Sequence, residues 1–314
     1  MSETAYANKL EEILLQYTYY YGIRQSNDDK KKIYGYIYEI YNNKVGLKVT
    51  YDKLSLGPSH RGLCVVGNIA KADNVFIVPL DTKSKAYLYH YKYYPFNDKK
   101  TNFNKLAASL CDWGICLILM AIVYYLSYRL FAKGIVSAIL AIVVMFIFHF
   151  FARNIFNFNS SAPMALLNYI AVNSPNKRKN AYVFLDMSDD NYVTLKAFLV
   201  KYKQQLSHAK KVLYLNNLAG GEHPVLAHGK ETAMLNIAGA KEVLIEDNNM
   251  MPCFEVFPKL YILTGADINN KGDYVVLNKR SKNDNKMDVK RLKEIAETFL
   301  PKERETNNEN TENN

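Results

Sequence analysis

The sequence predicts an α/β fold, a mixed central sheet flanked by helices, whose chain is interrupted by a two-helix transmembrane hairpin. Three observations predict it. Short apolar, β-branched runs alternate with stretches of helical spacing after residue 153. Two long, nearly uncharged apolar runs stand side by side between residues 106 and 151. Neither flank carries a complete set of elements, so residues 1–105 and 153–301 are expected to form one domain around a hairpin at 106–152.

Amphipathic spacing predicts helices over residues 3–20 and 28–41, followed by strands in GLKVTYDKL (46–54), LCVVGNI (63–69) and VFIVPLD (75–81). In the hairpin, residues 106–126 carry one charge, Asp112, and residues 134–151 carry none, with His149 near the end. About 20 apolar residues cross the ~30 Å hydrocarbon layer, so both runs qualify. Residues 127–133 are expected to form the polar turn between them. Asp112 lies near the start of its run, where it reads as an interfacial carboxylate rather than an ion site. Trp113, Tyr124, Tyr125 and Tyr128 fit interfacial anchoring. Lys99, Lys100, Lys105 and Arg153 outnumber Arg129 and Lys133 in the turn, which places both soluble parts on the cytoplasmic side of a cell membrane. The opening MSETAYANKLEEILLQ does not read as a secretory signal.

Beyond the hairpin, residues 165–172 read as helix and AYVFLD (181–186) as a buried strand. Leu195, Phe198, Tyr202 and Leu206 follow at helical spacing, with Asp189 or Asp190 as the expected cap. KVLYLNNL (211–218), EVLIED (242–247), KLYILTG (259–265) and DYVVLN (273–278) are expected strands, and Asp288 is expected to cap a last helix carrying Leu292, Ile295 and Phe299. The tail 302–314 has no apolar residue and is expected to be disordered.

Composition narrows the function. With 49% hydrophobic and 22% charged residues, the chain can bury a sizeable core. Cys64, Cys111, Cys116 and Cys253 form neither a disulfide framework nor a CxxC zinc pair. A net charge of +10 suits an anionic bilayer surface, and no nucleic-acid motif accompanies the short basic clusters. There is no phosphate loop around GGEH (220–223) and no GxSxG elbow. Cys253 reads as a structural thiol.

The order of short segments resembles the co-catalytic zinc exopeptidases of metallopeptidase family 28, the aminopeptidase and glutamate-carboxypeptidase-like group. VFIVPLDTKSK looks like that family's first metal-binding segment, with Pro79 at the ligand His and Asp81–Thr82 kept. NFNSSAPMALLNYIA looks like the second, with Phe158 at the bridging Asp. YVFLDMSDDNYVTLKAF is the closest match, with Ser188 at the general-base Glu and Asp189 at a ligand Glu. VLYLNNLAGG places Asn216, and VVLNKRSKNDNKMD places Asn278, at the remaining ligand positions. The hairpin and the tyrosine-rich stretch 86–96 are insertions between the first two segments.

The resemblance implies a zinc-exopeptidase-like fold and, through its substitutions, no zinc chemistry. Zinc needs imidazole, carboxylate or thiolate ligands. Proline and phenylalanine donate nothing, asparagine is a poor substitute, and a serine hydroxyl is no general base near neutral pH. No catalytic residue, metal site or cofactor is therefore expected. A vestigial cleft around Asp81, Ser188, Asp189 and Asn216 is expected to bind instead. The alternative is a hydrolase with a relocated metal site drawn from Asp81, Asp186, Asp189, Asp190, Glu222, His223 and His228, or an accessory subunit of a transporter. The expected role is that of a membrane-anchored pseudoenzyme, a scaffold or regulatory subunit. Its partners would be the lipid bilayer, a membrane protein or a second copy, and a peptide held in the cleft.

Overall fold

The computed structural model describes residues 3–56, 59–82, 90–131, 133–151, 157–186, 192–246, 251–277, 279, 284 and 287–300. Helices α1 (Glu3–Leu15) and α2 (Asn27–Tyr38) open the chain. Ser26 and Asp29 cap α2 reciprocally, each side chain accepting from the other's backbone N–H. Past α1, Gln16–Tyr20 continues as a wider turn in which the Tyr21 N–H donates to the Gln16 carbonyl. Strands β1 (Val49–Leu56), β2 (Ser59–Val66) and β3 (Asn74–Pro79) follow, then the apolar helices α3 (Asp98–Phe131) and α4 (Gly134–Phe151). The second half contributes α5 (Phe158–Asn173), β4 (Asn180–Leu185), α6 (Val193–Lys201), α7 (Lys203–Leu206), β5 (Lys211–Asn216), β6 (His223–His228), β7 (Lys241–Leu244), α8 (Pro252–Val256), β8 (Leu260–Ile268), β9 (Tyr274–Val275) and α9 (Val289–Glu297).

The strands form one mixed sheet in the order β1-β2-β4-β3-β5-β8-β6-β7, with β9 added against β8. β4, β3, β5 and β8 run parallel, so Pro79, Leu185 and Asn216 end at one edge. β2 and β6 join antiparallel on either side of this parallel set. Alternate strand residues face two cores, as the pleat requires. Phe76, Val78, Tyr182 and Phe184 pack with α1, α2, α5 and α9. Val75, Ile77, Val183 and Tyr214 pack with α6 and α8. The mixed sheet flanked by helices is the predicted architecture, and both flanks of the apolar segment contribute strands to it.

Four features differ from expectation. β6 occupies HPVLAH, read as turn and loop because a proline and two histidines interrupt its apolar core. α5 begins at Phe158 rather than 165. It is buried along Phe158–Ala171 and so shows no one-sided periodicity. α6 is preceded by Tyr192 without a side-chain cap, while Asp189 and Asp190 lie outside the described residues. Finally, the expected polar turn is helical up to Phe131. There the Ser127 hydroxyl donates to the Val123 and Tyr124 carbonyls of its own helix, and Arg129 complements the helix C-terminus.

α3 is long and apolar enough to cross a membrane, its 34 residues extending about 51 Å. α4 packs against it and is shorter, apolar over Gly134–Phe148. The expected boundary at residue 105 falls inside α3, whose first turns belong to the soluble domain. The Thr101 hydroxyl accepts from the Tyr94 N–H and donates to the Tyr94 carbonyl, and Ala108 is buried with Val225, Ala266 and Val276.

Arg24 joins the N-terminal helices to the sheet. Its guanidinium is fully buried. Nε donates to the Leu80 carbonyl (2.5 Å), and Nη1 donates to the Tyr17 and Tyr21 carbonyls (3.2 and 2.6 Å) and reaches the Ser161 hydroxyl (3.5 Å). The wide turn after α1 leaves the Tyr17 carbonyl available for this contact. Arg24→Met leaves those buried carbonyls unpaired and is expected to lower unfolding stability by about 3 kcal/mol. Arg24→Lys, lacking the planar fork, is expected to recover less than half of that loss. Denaturant midpoints of the three proteins in one detergent check both values.

Asp52 ties β1 to the end of α6, its Oδ2 accepting from Lys201 Nζ and the Tyr202 hydroxyl (2.5 and 2.6 Å). These partners hold its carboxyl down at about 2. Because the folded value lies below the unfolded one, the contribution is present above about pH 4 and lost as pH falls toward 2. Asp52→Asn is expected to flatten the fall in melting temperature across that window, and equal slopes in both proteins would contradict the link.

Candidate functional site

In open α/β sheets, ligands bind at the carboxyl ends of the parallel strands. Here that edge gathers Pro79 and Asp81 after β3, Asp186 after β4, Asn216 at the end of β5, and Gly265–Ala266 in β8. Of the residues expected in the cleft, Pro79, Asp81, Phe158 and Asn216 are described and all four are buried. Ser188, Asp189 and Asn278 lie outside the described residues.

The end of β5 is filled from within the chain. The Asn216 amide Nδ2 donates to the Tyr93 hydroxyl (3.3 Å), which lies 3.2 Å from the Tyr192 hydroxyl. Tyr192 in turn donates to the Pro95 carbonyl (2.6 Å). Burial holds both phenols well above their usual range, so they remain neutral hydroxyls. The Lys279 ammonium, itself buried, sits 4.0 Å from the centre of the Tyr93 ring.

The loop that follows Asn216 is set as tightly. Asn217 has φ of 50°, in the left-handed region, and its carbonyl accepts from the Gly220 and Gly265 N–H groups. A Cβ on Gly265 would lie 1.9 Å from the Gly220 carbonyl oxygen, so only glycine lets the loop rest on β8. From α9, Arg291 donates to the Leu218 and Gly221 carbonyls (2.9 and 2.8 Å). At the start of α5, the buried Asp284 accepts from both the backbone N–H and the side-chain amide of Asn159 (2.9 and 3.0 Å). This places a carboxylate at the positive end of the helix, beside Phe158.

A zinc centre does not fit the described residues. Pro79 and Phe158 have no donor, and the Asn216 amide is engaged with Tyr93. A buried ammonium beside the same strand end would repel a dication. The relocated site fares no better. His223 and His228 stand at opposite ends of β6, about 16 Å apart, and so cannot converge. Asp186 forms an ion pair with Lys30 at 2.6 Å, and the Glu222 backbone N–H is bound to Asp267. Among the described residues no three His, Cys, Asp or Glu side chains stand close enough to hold a metal ion. Cys253 is buried in α8, and burial pushes its thiol up, away from a reactive thiolate.

Tyr93, Tyr192, Lys279 and Asp284 were not singled out from the sequence. The tyrosine-rich stretch 86–96 marked where Tyr93 comes from, but nothing local marks which of its tyrosines turns inward. Tyr93→Phe removes the hydroxyl shared by Asn216 and Tyr192 but keeps the ring under Lys279. It is expected to cost about 1–2 kcal/mol, and Tyr93→Leu, which also loses the ring, measurably more. Equal denaturant midpoints for the two variants would show that the ammonium–ring contact contributes nothing.

By sequence, no known protein family and no curated protein matches the chain. Solved structures do. A glutaminyl cyclase of Porphyromonas gingivalis superposes with a TM-score of 0.53 at 9% identity, covering 95% of this chain and 96% of that one. A glutaminyl cyclase of Macrostomum lignano gives 0.49 at 9% identity over 95% and 87%. The LapA aminopeptidase of Legionella pneumophila gives 0.47 at 11% over 96% and 71%. At such identities the likeness concerns architecture alone. This chain shares the α/β architecture of the Porphyromonas glutaminyl cyclase, a mixed central sheet between helices, and its long apolar helix starts against the carboxyl edge of the sheet.

Proposed function

We propose that the chain is a two-pass membrane protein whose exopeptidase-like domain is catalytically inactive and works by binding, as a scaffold or regulatory subunit of a membrane complex. The observation that supports this most is the filling of the strand-end centre. Tyr93, Tyr192 and Lys279 occupy the end of β5, where the resemblance to zinc exopeptidases puts a metal ligand. A hydrolase of that type needs a metal-bound water and a base near it. A phenol–amide chain under an ammonium supplies neither.

Anchoring rests on α3, with α4 returning the chain to the same side. The excess of Lys and Arg at the domain end of the hairpin supports a cytoplasmic domain. The partners proposed are a peptide at the carboxyl edge of the sheet, where the resemblance puts a vestigial cleft of Asp81, Ser188, Asp189 and Asn216, and another membrane protein or a second copy along the exposed apolar flanks of α3 and α4.

The first test is elemental mass spectrometry on detergent-purified full-length protein after exposure to zinc, paired with aminopeptidase and glutaminyl cyclase assays. Less than about a tenth of an equivalent of zinc, with no turnover above a heat-denatured control, is expected. One or two tightly held equivalents with turnover would overturn the inactive reading and leave the membrane anchor untouched.

A further inference from the structure

We infer that the carboxyl edge of the sheet is seated on the membrane, its rim immersed in the phosphate-bearing headgroup layer of the bilayer that holds the hairpin. The inference rests on the anchoring reading above and goes beyond it, because a hairpin alone leaves the domain free to hang in water at any orientation.

The geometry at the root of α3 carries the argument. Lys99, Phe103, Leu106 and Leu110 follow at spacings of four, three and four, so they share one side of the helix. Phe103, Leu106 and Leu110 are 70%, 58% and 64% exposed on that side. On another side of the same helix, Ala108 is fully buried against Val225, Ala266 and Val276 of the domain. Ala108 lies five residues beyond Phe103, about 7 Å further along the axis. Immersing the exposed stripe from Phe103 onward therefore carries the domain surface at Ala108 to the same depth. The helix is not free to lean away, since Thr101 is bonded at both its donor and acceptor to Tyr94, and Lys100 pairs with Asp273 at 2.6 Å.

The rim is composed for that position. Leu277, next to the Val276 that touches Ala108, is 50% exposed. On the other side of the insertion the chain re-enters the domain at Phe158, seven residues after the end of α4 and so within about 25 Å of it. The ring of Tyr19 meets that of Phe158 edge-on at 6.4 Å, and Tyr19 and its neighbour Tyr20 are 56% and 83% exposed. Exposed tyrosines with a polar tip and an apolar body are the residues that settle at the membrane–water interface. Lys99 at the water end of the α3 stripe is placed for lipid phosphate. The carboxyl edge of the sheet therefore faces the bilayer, and whatever reaches it comes along the membrane surface or from within the membrane.

The test uses the full chain in nanodiscs of phosphatidylcholine and phosphatidylglycerol, in a Cys111→Ser background that removes the exposed thiol. Nitroxide labels are placed at Tyr20→Cys, at Leu277→Cys, and at Lys210→Cys before the amino end of β5, on the opposite edge of the sheet. Power-saturation EPR reads the accessibility of each label to oxygen and to a water-soluble nickel chelate, and quenching of Trp113 by brominated lipid reads the span in the same discs. Quenched Trp113, with an oxygen-to-nickel ratio several-fold higher at positions 20 and 277 than at 210, is the expected result. Quenched Trp113 with ratios at 20 and 277 within twofold of that at 210 overturns the seating and leaves the anchor standing. Unquenched Trp113 overturns the anchoring reading and the seating with it.

Discussion

The fold turns on a buried guanidinium. Arg24 sits where the first helix ends, where β3 leaves the sheet, and where α5 passes beneath both, and it binds a carbonyl or hydroxyl from each. Its charge faces carbonyls at a helix end, which carry partial negative charge, so desolvating it is offset by several charge-assisted bonds. The position of Leu80 then fixes Asp81 and Thr82, and the Thr82 hydroxyl accepts from the Arg24 backbone N–H. Through one side chain, the N-terminal helices register the first half of the cleft against a helix that lies beyond the apolar insertion. Two segments separated by more than a hundred residues are thereby held as one domain.

Part of the strand-end region is likewise satisfied from within the chain, although the buried side-chain amide of Asn217 finds no hydrogen-bond partner among the described residues. In a metalloenzyme the convergence of several strand ends is justified by the cation that gathers their carboxylates and imidazoles. Without such ligands, the same convergence would leave buried polar ends unpaired at a cost of about 1–3 kcal/mol each. Tyr93 meets Asn216, Asp284 meets Asn159, and Arg291 meets the loop carbonyls. Each closes with a side chain what a ligand or water would otherwise close. Lys279 supplies the positive charge, and an aromatic face receives it. These contacts hold the strand ends together from within the chain.

How much of this could be read from the sequence follows from how locally each feature is encoded. The buried strands β3, β4, β5 and β8 are continuous apolar runs, and the last helix shows both its Asp288 cap and its one-sided pattern. Those features are local, and they were legible. α5 was only half legible, because a helix buried on every side has no polar face and Pro163 interrupts its pattern. β6 was missed because its strand character comes from pairing with β8 rather than from its own residues. The order of segments puts Pro79 and Asn216 at strand ends, where β3 and β5 finish. Tyr93 and Lys279 could not be placed in that way, since what selects them is a contact across nearly two hundred residues.

The stretch that carries Tyr93 also joins the strand ends to the long apolar helix α3. The first residue of α3, Asp98, comes five positions after Tyr93, and Tyr93 and Ala108 belong to one packed cluster with Val225, Ala266 and Val276. Packed clusters of this kind have discrete arrangements and do not deform smoothly. A tilt of α3 must therefore either leave the cluster intact and move the whole domain, or displace Tyr93 and expose Asn216. The pair of hydrogen bonds between Thr101 and Tyr94 favours the first at small tilts, because it locks the helix start to the stretch that carries Tyr93. The start of α3 and the strand ends are thus tied together as one packed part, and whatever holds α3 also sets the orientation of the sheet's carboxyl edge.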